Sequence, residues 1–116
     1  MDRQKKAAGK TYPVRLTTNA VQNIDEITGY IAFINHQPLN SIKVGDSIFE
    51  TIEKIKSNPF AFKECEELPT KNRIYRRALC LSWLIIYKIT PVEIIILGII
   101  HQSRKTSKRK ALRKIK

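Results

Sequence analysis

Three runs between Arg73 and His101 decide how this chain folds: Arg73-Ile-Tyr-Arg-Arg-Ala-Leu79, Ser82-Trp-Leu-Ile-Ile-Tyr-Lys-Ile89 and Glu93-Ile-Ile-Ile-Leu-Gly-Ile-Ile-His101. Each is rich in β-branched and aromatic residues, and short breaks at Cys80–Leu81 and Thr90–Val92 part them. Such spacing predicts an antiparallel meander. The breaks are too short for a crossover helix, so neighbouring runs do not pair in parallel.

Working outward, helical stripes flank the meander on its N-terminal side. Tyr12, Val14 and Leu16 alternate with Pro13 and Arg15, which predicts a short strand, at an edge because Pro13 has no N–H. Thr17-Thr18-Asn19 offers N-cap oxygens. Ala20, Ile24, Ile27, Ile31 and Ile34 then recur at helical spacing, with Val21, Tyr30 and Phe33 widening the face. Gly29 inside this helix is expected to be offset by close packing. Pro38 ends the helix near His36–Gln37. A second helix is predicted over 39–57, with Ile42, Gly45, Ile48, Phe49, Ile52 and Ile55 inward, stopped by Asn58-Pro59. The short link makes the two an antiparallel hairpin. Residues 60–72 read as a loop with Phe60 and Phe62 as anchors and Glu64, Glu66 and Glu67 in water. The expected class is therefore α+β: an N-terminal strand and a two-helix hairpin packed on an antiparallel sheet with a C-terminal three-strand meander.

The 116 residues suffice for one domain and one core. Leu84–Ile100 is apolar enough to test as a membrane span, but Lys88, Pro91 and Glu93 interrupt it and it is shorter than a span needs. A hairpin explains it without membrane insertion, and a cytoplasmic location is expected. Cys65 and Cys80 lie in no CxxC pattern and read as reduced thiols. With only His36 and His101 as further candidates, neither a metal nor another cofactor is expected.

The net charge of +12 is uneven. Residues 1–10 carry a net +3 and residues 102–116 carry +8 with no acid, whereas 11–101 hold ten basic and nine acidic residues. The expected division is a disordered lead-in over 1–11, a folded domain over 12–104 and a loose basic tail over 105–116. On this reading, deleting the tail leaves the fold intact. Leu112 and Ile115 in it can form one helical turn against a partner or an anionic surface.

Particular residues sharpen the reading. Leu16-Thr17-Thr18-Asn19-Ala20 is followed by Ile24, Ile27 and Tyr30-Ile31, and Ser57-Asn58-Pro59 closes the second helix. Arg76-Arg77-Ala78-Leu79, then Tyr87, then Ile99-Ile100-His101 with Arg104 three residues on, complete a pattern over about 12–104. This order resembles RelE/ParE-family toxins, nearer the ParE side because His is followed by Arg in the closing motif. The resemblance implies the toxin of a bacterial type II toxin–antitoxin pair, bound by a cognate antitoxin and acting on DNA gyrase without catalysis. In its RelE-like form it implies a ribosome-dependent mRNA endonuclease with Arg76, Tyr87 and His101 as the catalytic set. A third reading is a non-toxic nucleic-acid or protein-binding module.

Cleavage through a ribose 2′-hydroxyl needs a base, an acid and cations for the phosphorane. His101 can exchange the proton, Arg76 can grip a phosphate bidentately and Tyr87 can stack or donate. Arg73, Arg77, Arg104, Lys105, Lys108 and Arg109 are candidate contacts to target or nucleic acid. Each has a plainer reading beside it. His101 can hydrogen-bond the backbone at a strand end, Tyr87 shares a face with Trp83, Ile85 and Ile89 and can be core, and Arg76 can fix the fold. The nearly neutral body weighs against the nuclease.

Overall fold

The computed structural model describes residues 12–104 and 106–115. The lead-in expected over 1–11 lies outside the described residues. Strand β1 (Val14–Leu16) leads into helix α1 (Thr18–Gly29) and a π-helical turn, Tyr30–Ile34. Helix α2 (Pro38–Ser57) follows, then a short 3-10 turn, strand β2 (Lys63–Glu64) and the meander β3 (Tyr75–Cys80), β4 (Trp83–Ile89) and β5 (Ile94–His101). The chain closes with helix α3 (Thr106–Ala111) and a 3-10 turn at Leu112–Lys114.

The meander is antiparallel as expected, with Arg77 opposite Ile86 and Leu84 opposite Ile100. The sheet order is β1-β5-β4-β3-β2. Strand β1 lies parallel to β5, Val14 beside Ile94, so the sheet is mixed rather than wholly antiparallel. The connection from β1 through the hairpin is long enough to allow that pairing. Its far edge gains β2, which the sequence hid within a loop, pairing Lys63 with Arg77.

Alternation along β4 divides the interior in two. Ile85, Tyr87 and Ile89 join Ile24, Ile48, Ile52 and Ile55 of the helices in one cluster. Leu84 and Ile86 point the other way, into a second cluster with Cys65, Leu68, Ile95, Leu97 and Leu112. Both sheet faces are thus covered, which explains why the strands read as near-continuous apolar runs.

The hairpin departs from the expected stripes for local reasons. The π turn closes with Asn35 N–H donating to the Tyr30 carbonyl at 3.1 Å. This wider turn rotates the following residues, so Ile31 is buried while Ile34 is 62% exposed. His36 then adopts φ 55°, a left-handed conformation that ends the helix. In α2 the inward positions are Ser41, Val44, Ile48, Ile52 and Ile55, and Ile42 and Phe49 face outward. Ser41 holds its inward place by donating to the Thr28 carbonyl at 2.7 Å. Gly29 is not packed closely: a Cβ there would meet nothing within 4 Å.

The C-terminal segment also differs from the expected loose tail. Leu112 is 4% exposed in the second cluster, with Ile115 packed beside it. The partner expected for these two residues is the chain's own sheet. Glu67, expected in water, is drawn in to receive Arg109.

Candidate functional site

The candidate residues occupy two ends of the sheet. Arg76 and Tyr87 are direct neighbours across β3 and β4, whereas His101 pairs with Trp83 at the opposite end of β4. Tyr87 pairs with Ile96. From Ile96 to His101 is a run of roughly 17 Å along β5. No single substrate atom is reached by all three.

Arg76 is engaged by the loop that follows α2. Its Nη1 donates to the carbonyls of Phe60 (3.0 Å) and Phe62 (2.8 Å), and its Nε donates to the Arg73 carbonyl at 2.8 Å. The guanidinium also lies 5.2 Å from the Phe60 ring centroid. Chain ends of helices leave carbonyls without partners, and one planar five-donor fork closes several of them together. Tyr87 is fully buried, its hydroxyl donating to the Pro59 carbonyl at 2.6 Å and its ring edge-on to Phe62. Burial pushes the phenol well above its ordinary value, with the Arg76 guanidinium opposing that shift. Tyr87→Phe leaves a buried carbonyl without its donor, so it is expected to cost about 1–2 kcal/mol in denaturant unfolding. A loss too small to measure would show that Pro59 finds another donor.

His101 sits at a different kind of place. Its ring packs edge-on to Trp83 at 5.2 Å, and Nδ1 receives the Ser103 N–H at 3.2 Å with the Ser103 hydroxyl at 2.8 Å. A backbone N–H can only donate, so Nδ1 accepts and the neutral ring carries its proton on Nε2. The ring borders a cleft of about 240 Å³. Asn23, Glu26 and Tyr30 of the first helix and its π turn line it opposite Trp83, and Arg104 and Lys108 contribute cations. His101, Arg104 and Lys108 are therefore brought together, and Arg76 is not among them.

The remaining candidates are dispersed. Arg73, at φ 52°, faces Glu64 at 4.0 Å. Arg77 lines a separate hollow of about 320 Å³ with Phe62, Lys63 and Leu79. Arg109 turns inward, pairing with Glu67 and donating to the Gln102 carbonyl at 3.0 Å. Lys105 lies outside the described residues. Burial raises the Glu67 carboxyl, but its backbone N–H and Arg109 outweigh that and hold it below its ordinary 4.5. Burial, helped by a hydrogen bond to Glu67, pushes the Cys65 thiol up to about 11, leaving it unreactive at neutral pH. Among the described residues no group of three His, Cys, Asp or Glu could hold a metal ion. No helix there is long and apolar enough to cross a membrane.

A network that sequence reasoning missed holds α1 against β5. Thr17 caps α1 by accepting from Ala20 N–H and donates its own hydroxyl to the Leu97 carbonyl at 3.0 Å. Asn19 donates to the same carbonyl, and Asn23 accepts the Ile99 N–H at 3.0 Å. These side chains take over the β5 edge where β1 stops, at a register shift beside Gly98. Beyond the N-cap oxygens offered by Thr17-Thr18-Asn19, the further signal was a glycine set within an otherwise bulky strand.

The ParE toxin family of type II toxin–antitoxin systems, parDE, matches residues 14–106. That is most of the chain. The protein belongs to the ParE toxin family. The likeness extends to solved folds. A chain of the chromosomal ParDE system from P. aeruginosa superposes with a TM-score of 0.61 at 18% identity, covering 78% of this chain and 96% of that one. A chain of the RelBE2 toxin–antitoxin complex from Mycobacterium tuberculosis gives 0.53 at 18% identity, covering 80% and 100%. A comparison with curated proteins returns no match. In this ParE-family chain the Arg-Arg-Ala-Leu, Tyr and Ile-His-x-x-Arg elements fall on β3, β4 and the end of β5, in the order the resemblance implied.

Proposed function

We propose that this ParE-family chain arrests growth by acting on DNA gyrase and is held silent by a cognate antitoxin. The observation that carries the choice of gyrase is the engagement of Arg76 and Tyr87 in the fold, far from His101. General acid–base cleavage of RNA needs its proton carriers and phosphate grip around one phosphorus. A toxin that acts by occupying its target needs only a stable surface.

The antitoxin is assigned to the outer side of the helical hairpin. Tyr30 (57% exposed), Phe33 (77%), Leu39 (81%) and Ile42 (61%) crowd that end of the molecule. Large apolar side chains left exposed about the turn between α1 and α2 are surface that an antitoxin would cover. The endonuclease reading keeps one observation in its favour, the cleft where His101 meets Arg104 and Lys108.

Controlled expression of the chain separates the mechanisms. Gyrase from arrested cells should lose supercoiling activity while ribosome-bound mRNA stays intact. Codon-phased mRNA cuts that vanish with His101→Ala would replace the gyrase reading by the nuclease one. Growth at the normal rate without any antitoxin would sink both.

A further inference from the structure

The docked C-terminal segment sorts its own cations. Arg109, Leu112 and Ile115, three apart, form its inward stripe: Arg109 on Glu67, Leu112 in the second cluster and Ile115 against it. Lys108, Lys110, Arg113 and Lys114 are consequently left on the outside, all exposed. Among the described residues none of these four has an ion-pair partner, whereas Arg15, Arg73 and Arg109 each do. The row continues past the segment at both ends. Lys108 meets Arg104 at the His101 cleft, and Arg113 shares the Tyr75 ring with Lys88, each 5.7 Å from its centroid. Glu26 lines the same cleft as Lys108, and Glu66, next in sequence to the paired Glu67, is exposed.

We infer that this ridge binds the backbone of duplex DNA without reading sequence. A helical segment of this length spans roughly 13 Å. A duplex offers a negative charge about every 1.7 Å of its axis, so a ridge of that length faces several phosphates at once. A protein partner would need an apolar centre to its contact, and the exposed side chains from 108 to 114 are Lys, Arg and Ala111 only. The large exposed apolar residues lie instead on the hairpin, at Phe60, at Leu79 and Leu81, and at Val92. Unpaired strands are held by stacking on aromatic rings, and residues 106–114 contain none. Modules that recognise duplex RNA read its A-form shape across about 16 base pairs and two successive minor grooves, far more than a ridge of roughly 13 Å covers. The inference stands whether or not gyrase is the target.

The test uses the full chain and a short random-sequence duplex DNA, with affinity followed by fluorescence anisotropy as salt rises from about 50 to 200 mM. A triple variant, Lys108→Gln, Lys110→Gln and Lys114→Gln, removes three outward charges and leaves the inward stripe alone. Every phosphate that the variant fails to neutralise flattens the log–log salt dependence by about 0.9, so its slope should be shallower by roughly two to three. Its melting temperature should match the parent's. Arg3, Lys5, Lys6 and Lys10 are common to both proteins, so the difference reports the ridge. An unchanged salt slope in the variant would overturn the proposal. So would tighter binding of the same duplex made of RNA, or displacement of the DNA by a polyglutamate peptide at equal charge.

Discussion

Removing residues 105–116 is expected to lower the melting temperature by about 10–20 °C and to expose a hydrophobic sheet face that binds ANS. Leu112 alone, 4% exposed among Leu84, Ile86, Leu97 and Ile100, sets the scale. Truncating a buried leucine to alanine costs about 2–5 kcal/mol. For a domain of this size each kcal/mol moves the midpoint by about 4 °C. The deletion removes Ile115 as well and strips Glu67 of Arg109, leaving a half-buried carboxylate without its counter-ion. Leu112→Ala in the full chain should reproduce about half of the loss or more. The ion pair adds a pH signature. Because Glu67 is held below 4.5 when folded, its contribution is present above that pH and disappears as pH falls through the folded value. The truncated chain should therefore lose less stability than the full chain on acidification. A midpoint within a few degrees of the full chain's would show that the segment lies on the sheet without stabilising it.

The same segment marks where sequence patterning stopped being informative. The meander and the inward Ile24, Ile27, Ile48 and Ile52 follow from periodicity because burial on one face imposes period 2 or 3.6, whereas the cap of α1 was legible only as a choice among the oxygens of Thr17, Thr18 and Asn19. Between Lys105 and Lys116 the charge count overwhelms the periodic signal. Three apolar residues, Ala111, Leu112 and Ile115, cannot outweigh eight cations elsewhere in 102–116 in a composition-based reading. Only the sheet, with a second apolar face still needing cover, reveals why Leu112 belongs inside. The π turn at Tyr30–Ile34 was hidden for a related reason: neither its residues nor Gly29 depart from a helical pattern, and the shift appears only in the Tyr30–Asn35 closure. At the site, the family order of Arg, Tyr and His was legible, but their separation was not. Sequence spacing along a meander does not reveal that His101 pairs with Trp83 while Tyr87 sits beside Arg76. The engagement of Arg76 by Phe60 and Phe62 depends on a loop path that carries no periodic signal at all.

Gly98→Ala should cost about 3 kcal/mol, a large effect for one methyl group. The backbone at Gly98 has no positive φ, so the cost is not conformational. It is spatial. A Cβ there would stand 2.9 Å from Asn19 Nδ2 and 3.0 Å from both Asn23 Oδ1 and Leu112 Cδ2. Leu112 can yield by a rotamer shift, at a typical overpacking cost of about 1–3 kcal/mol. The two amides cannot yield without losing their bonds to the Leu97 carbonyl and the Ile99 N–H. Each of those backbone groups left unsatisfied adds about 1–3 kcal/mol. Thr17 still serves Leu97, so Ile99 is the one exposed to the full penalty. The mechanism is testable by a double-mutant cycle with Asn23→Ala. Once the Asn23 amide is gone, one of the three crowding atoms and the Ile99 bond that it would lose are gone with it, and Gly98→Ala should cost about 1 kcal/mol less than in the parent, a coupling of the size expected between contacting residues. Strict additivity would mean that the clash with Asn23 is not what the glycine avoids. A Gly98→Ala protein as stable as the parent would go further and show that α1 can move off β5 freely, so that the helix is positioned by its Ile24 and Ile27 packing and not by the asparagine pair.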